Sequence, residues 1–141
     1  MLTSGRYLVD GSATARLTDP EVAGAIRPLL DAGQVATCGV VELTLLGRVR
    51  DPRLRVEVAT TRAAALQWLE TTDGDLRRAL EIQRLLGESG QYGVGWHAMV
   101  VAAVAERHGV CVLHSDASLD LVAKCTGQEL RWVGTDDRDA R

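Results

Sequence analysis

The fold class this sequence predicts is α/β, a three-layer α/β/α sandwich around a central, mostly parallel sheet, and three observations carry that expectation. Short apolar runs end sharply in an acid, at Tyr7-Leu8-Val9 before Asp10 and at Val110-Cys111-Val112-Leu113-His114 before Ser115-Asp116. Segments of helical spacing lie between such runs, as crossovers between parallel strands require. The stretch Ala98 to Ala105 is apolar on almost every side, which suits a helix buried against a sheet. At 141 residues, 46% hydrophobic and 25% charged, the chain is expected to form a single domain over residues 1–135, with 136–141 a solvated tail.

The elements follow in order. Tyr7 to Val9 is too short for a helix and reads as a buried strand. A short helix is expected from Ser12 to Leu17. Thr18-Asp19-Pro20-Glu21 is a capping-box pattern with proline in the first turn, so a second helix starts there. Val22, Ile26, Leu29 and Leu30 form its buried face, Pro28 bends it and Gly33 stops it. Gln34 to Cys38 reads as a second strand, parallel to the first.

Gly39 to Arg50 returns to helical spacing, with Glu42, Leu45, Leu46 and Val49 on one stripe. Three of these four are core residues, so Glu42 is expected to point inward with them. Two readings stay open for it, a functional carboxylate or a first-turn glutamate that favours the helix dipole. Asp51-Pro52 breaks the chain. Leu54 to Glu70 and Asp75 to Glu88 are expected as a helical hairpin anchored by Trp68, Leu76, Leu80, Leu85 and Leu86, followed by an exposed glycine-rich link from Gly87 to Gly95. Trp96 to Arg107 is the buried helix, closed by Gly109, and Val110 to His114 the late strand. Ala117 to Cys125 is a short helix ending near Gly127, and Leu130 to Val133 a final edge strand.

Composition excludes several classes. No run reaches the roughly 18 apolar residues of a membrane span, and the N-terminus lacks the basic-then-apolar layout of a signal peptide, so a cytoplasmic location is expected. Cys38, Cys111 and Cys125 are odd in number and without a Cys-x-x-Cys, so neither disulfides nor zinc are expected. The formal charge of -3 argues against bulk electrostatic binding to nucleic acid, although a local basic face remains possible.

Chemistry points to the two acids. In a parallel sheet the carboxyl ends of the strands share one edge, where ligands bind, so Asp10 and Asp116 converge if their strands are neighbours. Two convergent carboxylates suit a hard cation such as magnesium, which can orient a water at a phosphodiester. Asp10 has a second reading as a helix N-cap, with Ser12 beside it. His97, His108 and His114 lack zinc spacing and read as structural or surface residues.

Four segments carry a resemblance: Tyr-Leu-Val-Asp-Gly-Ser-Ala from Tyr7, Thr-Cys-Gly-Val-Val-Glu-Leu from Thr37, Ala-Ala-Val-Ala-Glu-Arg-His-Gly-Val-Cys-Val-Leu-His-Ser-Asp from Ala102, and Thr-Gly-Gln-Glu-Leu-Arg-Trp-Val from Thr126. The chain resembles the PIN domain, specifically the VapC toxins of bacterial toxin–antitoxin pairs, collinearly over essentially its whole length. The resemblance implies magnesium or manganese at a carboxylate cluster and endoribonuclease activity against structured RNA such as transfer or ribosomal RNA. It also implies a homodimer and neutralisation by a VapB antitoxin.

Residue by residue the resemblance is uneven. Asp10 and Asp116 match the family's metal-binding aspartates and Ser12 its usual serine. The aspartate that opens the family's buried helix is Ala98 here, and the glutamate of its second helix falls on Thr44, with Glu42 at a nearby, often acidic position. The family's Asp-x-Asp-Phe reads Asp116-Ala117-Ser118-Leu119. Asp10, Glu42 and Asp116 are therefore the candidate catalytic residues, Asp10 and Asp116 the candidate ligands of a weakly held Mg2+ or Mn2+, and Ser12 and Ser118 their supports. The alternative is a degenerate or inactivated PIN domain that binds a partner without cutting RNA. A phosphate-binding or receiver-like domain with structural acids is a third reading.

Overall fold

The computed structural model describes residues 6–134, so the tail expected at 136–141 lies outside the described residues. The elements are β1 (Tyr7–Val9), α1 (Gly11–Thr14), α2 (Pro20–Asp31), β2 (Val35–Cys38), α3 (Gly39–Leu46), α4 (Pro52–Ala65), β3 (Gln67–Leu69), α5 (Asp73–Glu88), α6 (Trp96–His108), β4 (Cys111–His114), α7 (Ala117–Thr126) and β5 (Leu130–Trp132). The five strands form one sheet in the order β3-β2-β1-β4-β5, and every pairing is parallel.

Strand alternation divides the core into two layers. Leu8, Ala36, Cys38, Leu69 and Val112 face α3, α5, α6 and α7, while Val9, Val35 and Leu113 face α1 and α2. Side chains that alternate along a strand point to opposite faces, so both faces need an apolar partner. On one face Val22 and Ile26 of α2 supply it, with Leu29 and Leu30 half-buried beside them. On the other, Ala98 to Ala105 of α6 are all buried. The small side chains there let α6 lie close to the sheet, and Gly109 ends the helix in the left-handed conformation at φ 67°, which glycine adopts without steric cost.

Sheet order sets the position of the site. From β1 the chain moves to β2 and β3 on one side, then crosses to β4 on the other. The strand order therefore reverses between β1 and β4, which opens a crevice beyond their carboxyl ends.

The expected helical hairpin does not form. Gln67–Leu69 is a strand paired to β2, with Trp68 opposite Thr37. Leu66-Gln67-Trp68-Leu69 lies inside a longer helical pattern, and edge pairing with β2 wins over continuation of the helix. Trp68 is consequently 61% exposed and Leu80 65% exposed, so neither is the core anchor expected; Ile82 and Leu86 hold α5 to the core. Helix α3 ends at Leu46 rather than Arg50, and its buried residue is Val41, while Leu45, Leu46 and Val49 are half-buried. The short helix after β1 stops at Thr14. Helix α5 runs through Gly87 to Glu88, which shortens the glycine-rich link.

An ion-paired cap ties α5 to α6. Thr72 and Asp75 form a reciprocal capping box, and Arg107 donates to both oxygens of Asp75, at 2.9 and 3.1 Å. Burial pushes the Asp75 carboxyl up, but the Arg107 guanidinium and the Thr72 N–H more than offset it and hold it below the usual carboxylate range. With the folded value depressed, this stabilisation is complete above the unfolded value near ~3.9 and is lost as pH falls through the folded value. Asp75→Ala is expected to cost about 2–3 kcal/mol, from the lost cap and the unpaired donors, with Arg107 exposed enough to rehydrate. Urea denaturation of both chains at pH 7 and at about pH 3 checks this, because the gap must narrow in acid.

Candidate active site

At the β1/β4 crevice lies a cavity of about 320 Å3, lined among others by Asp10, Ser12, Thr44, Arg48, His97, Val101 and Asp116. The backbone places the first acid: the Asp10 N–H donates to the Leu113 carbonyl at 2.9 Å, extending the β1–β4 ladder to the residue where β1 gives way to α1. Asp10 is 7% exposed and is the N-cap of α1. Its Oδ2 accepts from the Ser12 N–H at 3.1 Å and from the Ser12 hydroxyl at 2.7 Å. No hydrogen bond within the described chain engages Oδ1. The two readings of Asp10 therefore coexist, one oxygen capping and the carboxylate still facing a cavity.

Ser12 does more than cap. Its hydroxyl also accepts from the Ser115 N–H at 2.9 Å, across the crevice. One oxygen thus links the corner after β1 to the corner after β4 and fixes Asp10 relative to Asp116. The Asp116 Oδ1 accepts from the Ser118 N–H at 2.9 Å, so Ser118 supports it through the backbone. His114 Nδ1 lies 3.0 Å from the Asp116 carbonyl and 3.2 Å from the Asp116 N–H, so the imidazole braces the backbone of Asp116. Burial holds His114 well on the neutral side, against the opposing pull of Asp120 at 3.5 Å.

Glu42 lies elsewhere. Its side chain is 15% exposed, accepts from the Thr37 hydroxyl at 2.6 Å, and takes a two-pronged contact from Arg62, at 2.8 Å to each oxygen. Burial pushes its carboxyl up, and Arg62 and Thr37 outweigh that and lower it. The stripe expected to carry it inward to the core instead joins β2, α3 and α4 through this ion pair, and Glu42 is absent from the cavity wall. Thr44, at the family's glutamate position, faces the cavity with its hydroxyl donating to the Val40 carbonyl at 2.8 Å. Two residues on a helix differ by about 200°, so when one faces the cavity the other cannot.

Ala98 sits in the first turn of α6, 1% exposed, between His97 and Val101 of the cavity wall. His97 and Arg48 belong to the cavity and were not singled out from the sequence. Without zinc spacing His97 reads as structural from the sequence, and Arg48 is one of many arginines; only the chain's path brings them to the crevice.

The donor set fits a magnesium ion held weakly. Mg2+ binds through one or two carboxylates, retained waters and substrate phosphate, and Asp10 and Asp116 are the carboxylates on this cavity. Among the described residues no group of three His, Cys, Asp or Glu side chains is gathered as ligands, because Ala98 and Thr44 are uncharged and Glu42 is turned to Arg62.

Comparison with known proteins agrees with this geometry. Residues 7–124 match the PIN domain family. Ribonuclease VapC51 of Mycobacterium tuberculosis is 39% identical over 130 residues, covering 91% of this chain and 93% of that protein. Ribonuclease VapC21 of the same species is 36% identical over 129 residues, covering 91% and 94%. Among solved structures, VapBC2 from Rickettsia felis, bound to a DNA fragment from its promoter, superposes with a TM-score of 0.73 at 10% identity, covering 91% of this chain and 98% of that one. VapBC from Salmonella typhimurium superposes with a TM-score of 0.71 at 13% identity, covering 90% and 97%. With its parallel sheet, its aspartates at the β1/β4 reversal and these relatives, the chain belongs to the PIN domain family, among the VapC-type toxins.

Proposed function

We propose that this chain is a metal-dependent endoribonuclease that cuts structured RNA, transfer or ribosomal, in the cytoplasm, and that a VapB-like antitoxin restrains it. The observation that carries the reading is the pair Asp10 and Asp116 on one cavity at the strand-order reversal, with Ser12 bridging the two corners. Relatives named as ribonucleases and solved VapBC assemblies of the same fold support it. Asp10 and Asp116 would hold a divalent cation, which would supply charge neutralisation at phosphorus and an ionisable water. The chain supplies the rest: Asp10 is held in one orientation by Ser12, Asp116 by the Ser118 and His114 contacts, and the apolar wall from Val101 lowers the local dielectric.

A partner surface accompanies the site. Apart from Arg62, which is held against Glu42, helix α4 packs little against its own chain: no residue of it is fully buried, and Leu54 and Val56 are exposed. That supports a face covered by antitoxin or by a second copy in a homodimer. No helix among the described residues is long and apolar enough to cross a membrane.

Uncharged residues at Ala98 and Thr44 favour a second reading, a PIN domain that keeps its partner surface but has lost cleavage. Incubating the purified chain with bacterial transfer and ribosomal RNA in millimolar Mg2+ or Mn2+ separates the two. Discrete fragments that vanish with chelator support the nuclease. Intact RNA, together with a stable complex on co-expression with the adjacent antitoxin frame, supports the degenerate domain.

A further inference from the structure

We propose that Arg48 and His97 form a phosphate-binding pair on the cavity wall, contacting the non-bridging oxygens of the RNA phosphate that lies against Asp10 and Asp116; this rests on the ribonuclease reading above. Arg48 follows the last turn of α3 and His97 stands in the first turn of α6, and both line the same cavity as the two acids. Neither side chain has a hydrogen bond or ion pair among the described residues, whereas Arg62, Arg78 and Arg107 are each committed to a carboxylate. The chain carries a formal charge of -3, so a polyanion must be met by local donors rather than by the overall field. With Ala98 uncharged, less cation charge is available at the cavity to draw the phosphate in; the Ser12, Thr14 and Thr44 hydroxyls on its lining already donate within the chain, whereas the Arg48 guanidinium and the His97 imidazole are uncommitted.

Gly95 shows that the position of His97 is built into the fold. It is the N-cap of α6 with φ -69° and ψ 148°, a conformation open to any residue, and it gives the helix no capping side chain. Serine or aspartate would serve the helix better there. A Cβ on Gly95 would lie 2.7 Å from Cε1 and 2.9 Å from Nδ1 of the His97 ring. The glycine is therefore required for space: it lets the imidazole fold back over the helix start, edge-on to Trp96 at 6.2 Å. Because the ring is the far end of a flexible side chain, Gly95→Ala displaces His97 without disturbing the backbone.

The test is binding of labelled bacterial transfer RNA by fluorescence anisotropy in EDTA, where cleavage cannot intervene. His97→Ala and Arg48→Ala are each expected to weaken binding about tenfold, the size of one charge-assisted hydrogen bond. Gly95→Ala should weaken it comparably with unchanged circular dichroism and thermal midpoint, and His97→Gln, which keeps an N–H donor, should recover most of the loss. Arg84→Ala, which removes an exposed charge paired with Glu88 on α5, should change it less than about twofold. Native binding with His97→Ala and Gly95→Ala unaffected overturns the phosphate pair and leaves the ribonuclease reading standing. A native chain that binds no RNA in EDTA overturns the phosphate pair, and one that in addition cuts none with Mg2+ or Mn2+ overturns the ribonuclease reading as well.

Discussion

Asp10→Asn is expected to reduce RNA cleavage about a thousandfold or more while leaving the thermal midpoint within a few degrees of the native chain. The separation of the two effects is the informative part. Asparagine caps a helix about as well as aspartate, and its carbonyl oxygen can still accept from the Ser12 N–H and hydroxyl. What it removes is the negative charge facing the cavity. A purely structural Asp10 would give the reverse pattern, with little change in cleavage of a folded Asp10→Asn and a clear loss of stability in Asp10→Ala. Steady-state cleavage of a defined RNA, beside thermal melts of the three proteins, reads both quantities.

Ala98→Asp is expected to raise metal-dependent cleavage about tenfold or more and to tighten Mg2+ by a similar factor. Position 98 lies in the first turn of α6, where a carboxylate is favoured by the helix dipole, and in sequence between His97 and Val101, both of which line the cavity. The same position is 1% exposed, so an unneutralised carboxylate there costs about 1–3 kcal/mol of stability. The variant should therefore melt earlier than the native chain in EDTA and recover in millimolar Mg2+. An unchanged midpoint in EDTA with no response to Mg2+ would show that the new side chain reaches solvent rather than the cavity. Asp10→Ala/Ala98→Asp, carrying one acid fewer, should lose the Mg2+ response.

Much of the fold was legible because it is local. The strand-then-acid runs at Asp10 and Asp116, the Asp19-Pro20 helix start and the apolar stretch Ala98 to Ala105 each specify their element within a few residues. Strand β3 was not, because Leu66 to Leu69 follows fourteen residues of helix and only pairing with β2, distant in sequence, makes it a strand. That one strand explains why Trp68 stands out in solvent and why α4 and α5 are not a hairpin. The site divides the same way. Asp10 and Asp116 are placed by the strand ends and Ser12 by its position beside the Asp10 cap, whereas the destination of Glu42 depends on Arg62 twenty residues away in α4. Arg48 and His97 reach the cavity through the packing of α3 and α6 on one sheet face, which no spacing in the sequence encodes.

The most direct test of the claim that Asp10 and Asp116 form one catalytic unit is a double-mutant cycle in RNA cleavage, with native chain, Asp10→Asn, Asp116→Asn and the double variant assayed at one Mn2+ concentration. Groups that act as a unit lose their function together, so the double variant should fall within about threefold of the worse single variant. Losses that multiply, or an Asp116→Asn that cuts RNA as the native chain does, would mean that the two acids serve separate purposes and that the crevice between β1 and β4 is not the catalytic centre.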